Sequence, residues 1–240
     1  MKTQIRQSYF LFFLTQINEL AQSALLPLRP NRTEKDCSHY FTTTTIIMID
    51  FLQKQGLTEP QIAELLSKSK TFTAKRRSIL LKEQEIGGYI YFVESGILRT
   101  GIHDADNKDW THFFYSSEGL KWAGLSSNTL QEKPSDYFIE VLEDAQITAF
   151  PLAHFRVLRR SSLVWSRFFH CQLMTTFFYL EQKSARQLKF SPKKRYVDFI
   201  EANSRIVQNI PQHYIASYIG VAPESLSRIR KRLNDSVIFS

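Results

Sequence analysis

Cysteine is almost missing from this sequence: Cys37 and Cys171 are the only two in 240 residues. Two thiols so far apart make neither a disulfide framework nor a thiolate metal site. An iron–sulfur cluster asks for about four such ligands and is excluded from a single chain. Cysteine usage of this kind suits a reducing, cytoplasmic setting. Long apolar runs are lacking too. The stretch Tyr9 to Leu14, behind Lys2 and Arg6, has the outline of a signal peptide. Its apolar core is too short for one, and a membrane span needs about 20 apolar residues, so no membrane partner is expected. Glycine is sparse, at eight residues, and none is arranged as a phosphate-cradling loop or around a nucleophilic serine. Histidines are scattered. His103, His112 and His154, with Glu118, are the candidates for a metal site, yet the histidines stand 9 and 42 residues apart with no pair on one strand. No metal, no cofactor and no enzymatic activity are expected.

What is present is an uneven charge. The chain carries 31 Lys and Arg against 23 Asp and Glu, a formal +8. Between Lys183 and Leu233 eleven basic residues face three acidic ones, so this one segment holds the whole excess. A basic end on a neutral body is the electrostatic footprint of a nucleic-acid binder. A hydrophobic content of 43% with 22% charged residues is that of a globular protein with a sizeable core.

Within the basic segment, Tyr214 to Leu233 reads as two short amphipathic helices around a tight turn. Ile215, Ala216 and Ile219 make a narrow inward face. Gly220 then stops the helix, because a left-handed residue there carries no Cβ penalty. Pro223 opens a second helix with its φ already set. Leu226, Ile229 and Leu233 face inward along it. Glu224, Ser225, Ser227, Arg228, Arg230, Lys231 and Arg232 are left on the outer face. This is a helix-turn-helix whose second helix can enter a major groove. A helical hairpin with a solvated basic face has the same pattern.

The rest of the chain falls into three stretches. Residues 1–47 match the remainder poorly and read as an extension ahead of a more ordinary start at Met48. Thr58, Pro60 and Gln61 carry the capping box of a helix reaching Leu66. From Phe72 to about Phe150 the period becomes two, with strands over Tyr89–Val93, Ile97–Thr100, Trp110–Tyr115, Phe138–Leu142 and Ala145–Phe150, and a turn over Glu94–Gly96. Short strands at this spacing suggest a sandwich or jelly-roll-like barrel. After Pro151 the helical period returns. A long helix over Ser162–Leu188 is apolar nearly all round. Phe169, Leu173, Phe177 and Leu180 make a seam for a second copy, and Phe168, Cys171 and Phe178 a stripe toward the barrel. Complete burial within one chain is the other reading. Ser191 and Pro192 then break it and cap a helix from Lys193 to about Val207.

Residues 48–234 resemble the Crp/Fnr family of bacterial transcription regulators, most specifically in IPQHYIASYIGVAPESLSRIRKRL and in YIYFVESGILR, Tyr89 to Arg99. The resemblance implies an α+β fold: an N-terminal antiparallel β-roll or jelly-roll-like barrel, a long dimerisation helix, and a C-terminal helix-turn-helix of winged-helix type. With only Asn234 to Ser240 left, the wing is short or missing. It places a cyclic-nucleotide-binding-like roll at 48–160, a dimerisation helix at 161–190 and a DNA-binding domain at 191–240. It implies a homodimeric, sequence-specific regulator, with double-stranded DNA and RNA polymerase as partners and an unidentified effector or none. Glu224 and Arg228 fall where such recognition helices read base edges, and Ser225 where a hydroxyl meets phosphate. The effector pocket would draw on Glu118, Trp122, Ser135 and Tyr137. No arginine stands near Ser135 and Asp136 repels phosphate, so cyclic AMP is not expected to bind. The other reading is a ligand-binding or protein-interaction module with a basic tail and no specific DNA target.

Overall fold

A computed structural model describes residues 45–238, which divide into two compact units between Ile62 and Ala63. The extension read over residues 1–47 lies, as far as residue 44, outside the described residues. The first unit holds α1 (Thr45–Lys54) and the start of α2 (Glu59–Leu66), with Met48, Leu52, Leu57 and Ile62 buried. The Thr58 N–H donates to Gln61 Oε1 at 2.9 Å, the backbone half of the expected capping box.

The second unit is built on one antiparallel sheet: β1 (Lys70–Ala74), β2 (Ile79–Leu81), β3 (Tyr89–His103), β4 (Asp109–Ser116), β5 (Trp122–Ala123) and β6 (Phe138–Pro151). The main order is β1-β6-β3-β4, with β2 paired to β6 and β5 to β3, and a short helix, α3 (Ser127–Gln131), precedes β6. The turn expected at Glu94–Gly96 is a bulge inside β3. There the register with β6 shifts from Val93 opposite Ile147 to Ser95 opposite Gln146 and Ile97 opposite Glu143. Gly96 holds a φ of 83°, and a Cβ on it would lie 2.5 Å from the Asp144 carbonyl oxygen. The two strands expected on either side of Glu143–Asp144 are likewise one strand, β6. Both strands kink at one shared irregularity, which mimics a turn in each stretch of sequence.

Strand alternation sorts the core. One face gathers Tyr91, Val93, Leu98, Phe113, Tyr115 and Ile147. The other carries Phe92 and Phe150, whose rings pack on Trp122. Trp122 in turn meets Phe155 of α4 (Leu152–Ser161) and Phe168 of α5 (Leu163–Lys189). Glu94 is fully buried; Thr148 donates to its Oε1 at 2.5 Å, and its Oε2 has no hydrogen-bond partner. Burial pushes this carboxyl up, against the pull of the Thr148 hydroxyl. The folded state therefore holds the Glu94 proton more tightly than the unfolded chain, whose carboxyl titrates near pH 4.3. Stability falls as pH rises from there through the raised value, then levels. Glu94→Gln keeps the acceptor for Thr148 and removes the charge. We expect it to gain about 1–3 kcal/mol at pH 7, the scale of one unmatched buried polar group, with the gain vanishing below about pH 4. Urea denaturation of both proteins at acid and neutral pH checks this.

Ser162 caps α5, its hydroxyl accepting from the Trp165 N–H at 3.4 Å. The seam read on this helix needs one correction. Phe169 is only 6% exposed, its ring 4.7 Å from that of Phe155, because α4 covers that side of the first turns. The uncovered stripe is Phe177, Leu180 and Leu188, which are 56%, 43% and 90% exposed. After Ser191 the chain forms α6 (Pro192–Ala202), α7 (Ser204–Asn209), α8 (Gln212–Ile219) and α9 (Pro223–Ile238). The single helix expected to Val207 is split at Asn203, whose side chain donates to the Phe199 carbonyl at 3.0 Å. α9 runs on past Leu233, so the described residues left over for a wing are helical. Among the described residues no helix is long and apolar enough to cross a membrane.

Candidate nucleic-acid interface

The turn between α8 and α9 is closed by its backbone. Gly220 sits left-handed at φ 76°, its N–H donating to the Ser217 carbonyl while the Val221 N–H reaches the Ala216 carbonyl at 3.0 Å. These are the paired bonds of a Schellman stop. A Cβ on Gly220 would touch nothing nearer than Gln187 Nε2 at 3.7 Å, so the glycine is there for its φ. Pro223 opens α9 as the sequence indicates. Ile215, Ala216, Ile219 and Leu226 are buried with Tyr196, Phe199, Ile206 and Ile210, and Val221, Ile229 and Leu233 pack against them. Glu224, Ser227, Arg228, Arg230, Lys231 and Arg232 are exposed, and Ser225 is half-buried. Arg228 Nη2 donates to Ser225 Oγ at 3.0 Å, which steadies the guanidinium one turn further along the helix.

This helical group is seated on the sheet. Ile97, Phe114 and Leu142 of the strands belong to the same buried cluster as the α8 and α9 side chains. The Thr111 N–H donates to Ser217 Oγ at 3.0 Å, and the two hydroxyls lie 2.9 Å apart. Tyr218 meets Tyr179 of α5, hydroxyl to hydroxyl, at 2.9 Å. Lys183 donates to the His112 carbonyl and lies 4.4 Å from the Tyr218 ring; burial pulls its ammonium down to about 8. Arg195 donates to the Phe190, Ile219 and Gln187 carbonyls at 2.8, 3.0 and 3.2 Å, tying the end of α5 to the end of α8. Arg195 is thus taken up by the fold, and Lys194 is paired with Asp198 at 2.5 Å. Of the basic residues in the counted segment, Arg228, Arg230, Lys231 and Arg232 on α9 are exposed, as are Arg186, Lys189 and Lys193 nearer the end of α5.

Beneath Tyr214 lies a charged node that the sequence pattern did not single out. Arg99, 2% exposed, reaches Asp109 at 2.5 and 2.7 Å and Glu140 at 2.7 and 2.8 Å. The Tyr214 ring covers the guanidinium at 4.1 Å, with Phe138 at 4.8 Å. An arginine inside the otherwise uncharged run Ile97–Ile102 was the available signal.

The four residues read as an effector pocket have different surroundings. Trp122 lies in the aromatic cluster shared with α4 and α5. Glu118 is exposed, 3.9 Å from Arg205 of α7. Ser135 and Tyr137 do come together: the Ser135 hydroxyl donates to the Tyr137 carbonyl at 2.7 Å and accepts from its N–H. Of the histidines, His103 meets Glu83 at 3.1 Å, His112 stacks on Tyr137, and His154 bonds the Glu64 carbonyl at 2.9 Å. Among the described residues no three His, Cys, Asp or Glu side chains gather as metal ligands.

Antiparallel sheet, long helix and terminal helix-turn-helix together make up the second unit, with the helix-turn-helix seated on the sheet. No family model and no curated protein matches the chain. Solved structures do. FixK2 from Bradyrhizobium japonicum superposes with a TM-score of 0.62 at 16% identity, over 71% of this chain and 86% of that one. A protein of Eubacterium rectale described as a transcriptional regulator of the Crp/Fnr family gives 0.61 at 17%, over 75% and 85%. The c-di-GMP-responsive global regulator CLP of Xanthomonas campestris gives 0.59 at 15%, over 73% and 91%. The chain has the Crp/Fnr fold, and at the level of the fold the resemblance read in the sequence is borne out.

Proposed function

We propose that this protein is a homodimeric, sequence-specific DNA-binding transcriptional regulator whose roll does not take cyclic AMP. The observation that carries the reading is the outer face of α9. Its inward residues are held in the core while Glu224, Ser227, Arg228, Arg230, Lys231 and Arg232 stand free of it. Arginine suits guanine O6 and N7, and glutamate suits cytosine N4, so Arg228 and Glu224 supply base readout. Arg230, Lys231 and Arg232 supply phosphate attraction. The division into roll, stem and reader takes the boundaries 48–160, 161–190 and 191–240. Pairing of two chains along Phe177, Leu180 and Leu188 fits the apolar stripe that α5 leaves uncovered, and would present two readers to paired half-sites. Against cyclic AMP stands Ser135, whose hydroxyl is already engaged with Tyr137 at both ends.

Two substitutions separate reading from attraction. Arg228→Ala is expected to cost about 1–3 kcal/mol on the cognate site and relax specificity at one base pair. Lys231→Ala should weaken cognate and random duplexes alike and lower the slope of log K against log salt by about 1. Fluorescence anisotropy over a salt series measures both. Unchanged specific binding by Arg228→Ala would remove the assignment.

A further inference from the structure

The turn between β1 and β2 faces the start of α8 across a small cleft of about 100 Å³. Arg76 and Arg77 line it from the turn, Glu140 from β6, and His213 and Tyr214 from α8; the rest of its lining is apolar. Both arginine side chains are exposed, and among the described residues neither guanidinium has an ion-pair partner. The one carboxylate in the lining, Glu140, accepts from Arg99 Nε and Nη2 through Oε2 at 2.8 and 2.7 Å. Arg99 also holds Asp109, so this node keeps one net negative charge against the two positive charges of Arg76 and Arg77. The cleft is therefore cationic. Its arginines rise from an anchored backbone. The Arg76 N–H donates to Asp144 Oδ1 at 2.8 Å, and the Arg77 N–H to the Val141 carbonyl at 2.7 Å with φ at 72°. Burial pushes the Tyr214 phenol up and the Glu140 charge adds to the rise, while the Arg99 charge and, least, the Arg76 charge pull it back.

Size narrows the ligand. At about 100 Å³ the hollow has room for a few waters, enough for one tetrahedral oxyanion. Pockets for drug-sized molecules run to about 300–1,000 Å³, so a whole nucleotide does not fit. Two planar guanidinium forks match phosphate oxygens in pairs. We propose that this cleft binds a single phosphate group, free or as the terminal monoester of a small molecule, between the β1–β2 turn and the first turn of α8. A phosphate held there bridges the sheet and the helix-turn-helix and fixes the seating of the reader. That consequence rests on the DNA-binding reading, whereas binding itself does not.

The test is a titration of sodium phosphate into the full-length protein at constant ionic strength, read as thermal stability. The expected result is a saturable rise in Tm, with affinity falling at least tenfold in the double variant R76A/R77A. K231A/R232A should keep phosphate binding while losing DNA affinity, which separates failure of this site from failure of the DNA reading. Glucose 6-phosphate run beside inorganic phosphate distinguishes a monoester site from one for the free ion, and saturable binding of either supports the proposal. A rise that does not saturate, or one unchanged in R76A/R77A, overturns it.

Discussion

Replacing Phe177 and Leu180 together with glutamate is expected to leave the protein monomeric and to weaken its specific DNA binding by about 10²–10⁴-fold. Exposure is the reason. These two side chains are 56% and 43% exposed although they are large and apolar, and with Leu188, 90% exposed, they line one side of α5. Beside them Glu181, Ser184 and Ala185 complete a shallow groove of about 390 Å³. Within one chain the double variant loses only the Phe177–Phe178 ring contact at 5.9 Å and the partial cover of two half-exposed side chains, so circular dichroism and thermal stability should be near those of the parent. Across a two-fold seam, four carboxylates would be forced together out of water, which a dimer cannot accommodate. One reader then meets one half-site, and the gain from linking two binding events disappears. Sedimentation velocity and anisotropy on the same samples decide the matter. A variant that stays dimeric places the seam elsewhere; a monomer that binds the cognate site undiminished denies the role of pairing.

The second large effect concerns the node under Tyr214. Arg99→Met removes the cation that holds Glu140 and Asp109, whose side chains are 12% and 38% exposed. Breaking a buried ion pair from one side costs about 3–5 kcal/mol, because the remaining charge stays desolvated. Tyr214 also loses the guanidinium beneath its ring, so the seating of α8 on the sheet should loosen with the fold. Arg99→Met combined with Glu140→Leu should recover most of the loss, since Asp109 can turn to solvent and an apolar pair can fill the space. Urea denaturation of the single and double variants measures the coupling. Equal destabilisation by both would mean that the node's contribution is packing, with no part for charge.

Features decided within a few neighbouring residues were legible in the sequence. Gly220 and Pro223 fix a turn through their own φ preferences, and both stand where the sequence puts them. The inward residues of α8 and α9 follow from helical period alone. Features that depend on a distant partner were not legible. Ser95 and Gly96 look like a hairpin turn until β6 is seen to kink opposite them. Phe169 shares its spacing with Phe177, and only the position of α4 tells which of them is covered. Asn203 splits a helix because its side chain competes for a carbonyl, which apolar periodicity does not register. Arg99 has Glu140 opposite it in the register with β6, while Asp109, the first residue of β4, stands opposite His103 and reaches back to the guanidinium. The seating of Ser217 on Thr111 joins residues more than a hundred positions apart.

The role proposed for α9 is to read a particular sequence in duplex DNA, and selection from the source genome tests it most directly. Fragments bound by the full-length protein should be selected, sequenced and compared with random duplex by anisotropy at physiological salt. The expected result is a common motif with two-fold symmetry, bound about 10³-fold or more tightly than random DNA, and loss of that preference in Arg228→Ala. Equal affinity for selected and random fragments, at every salt concentration, would contradict it.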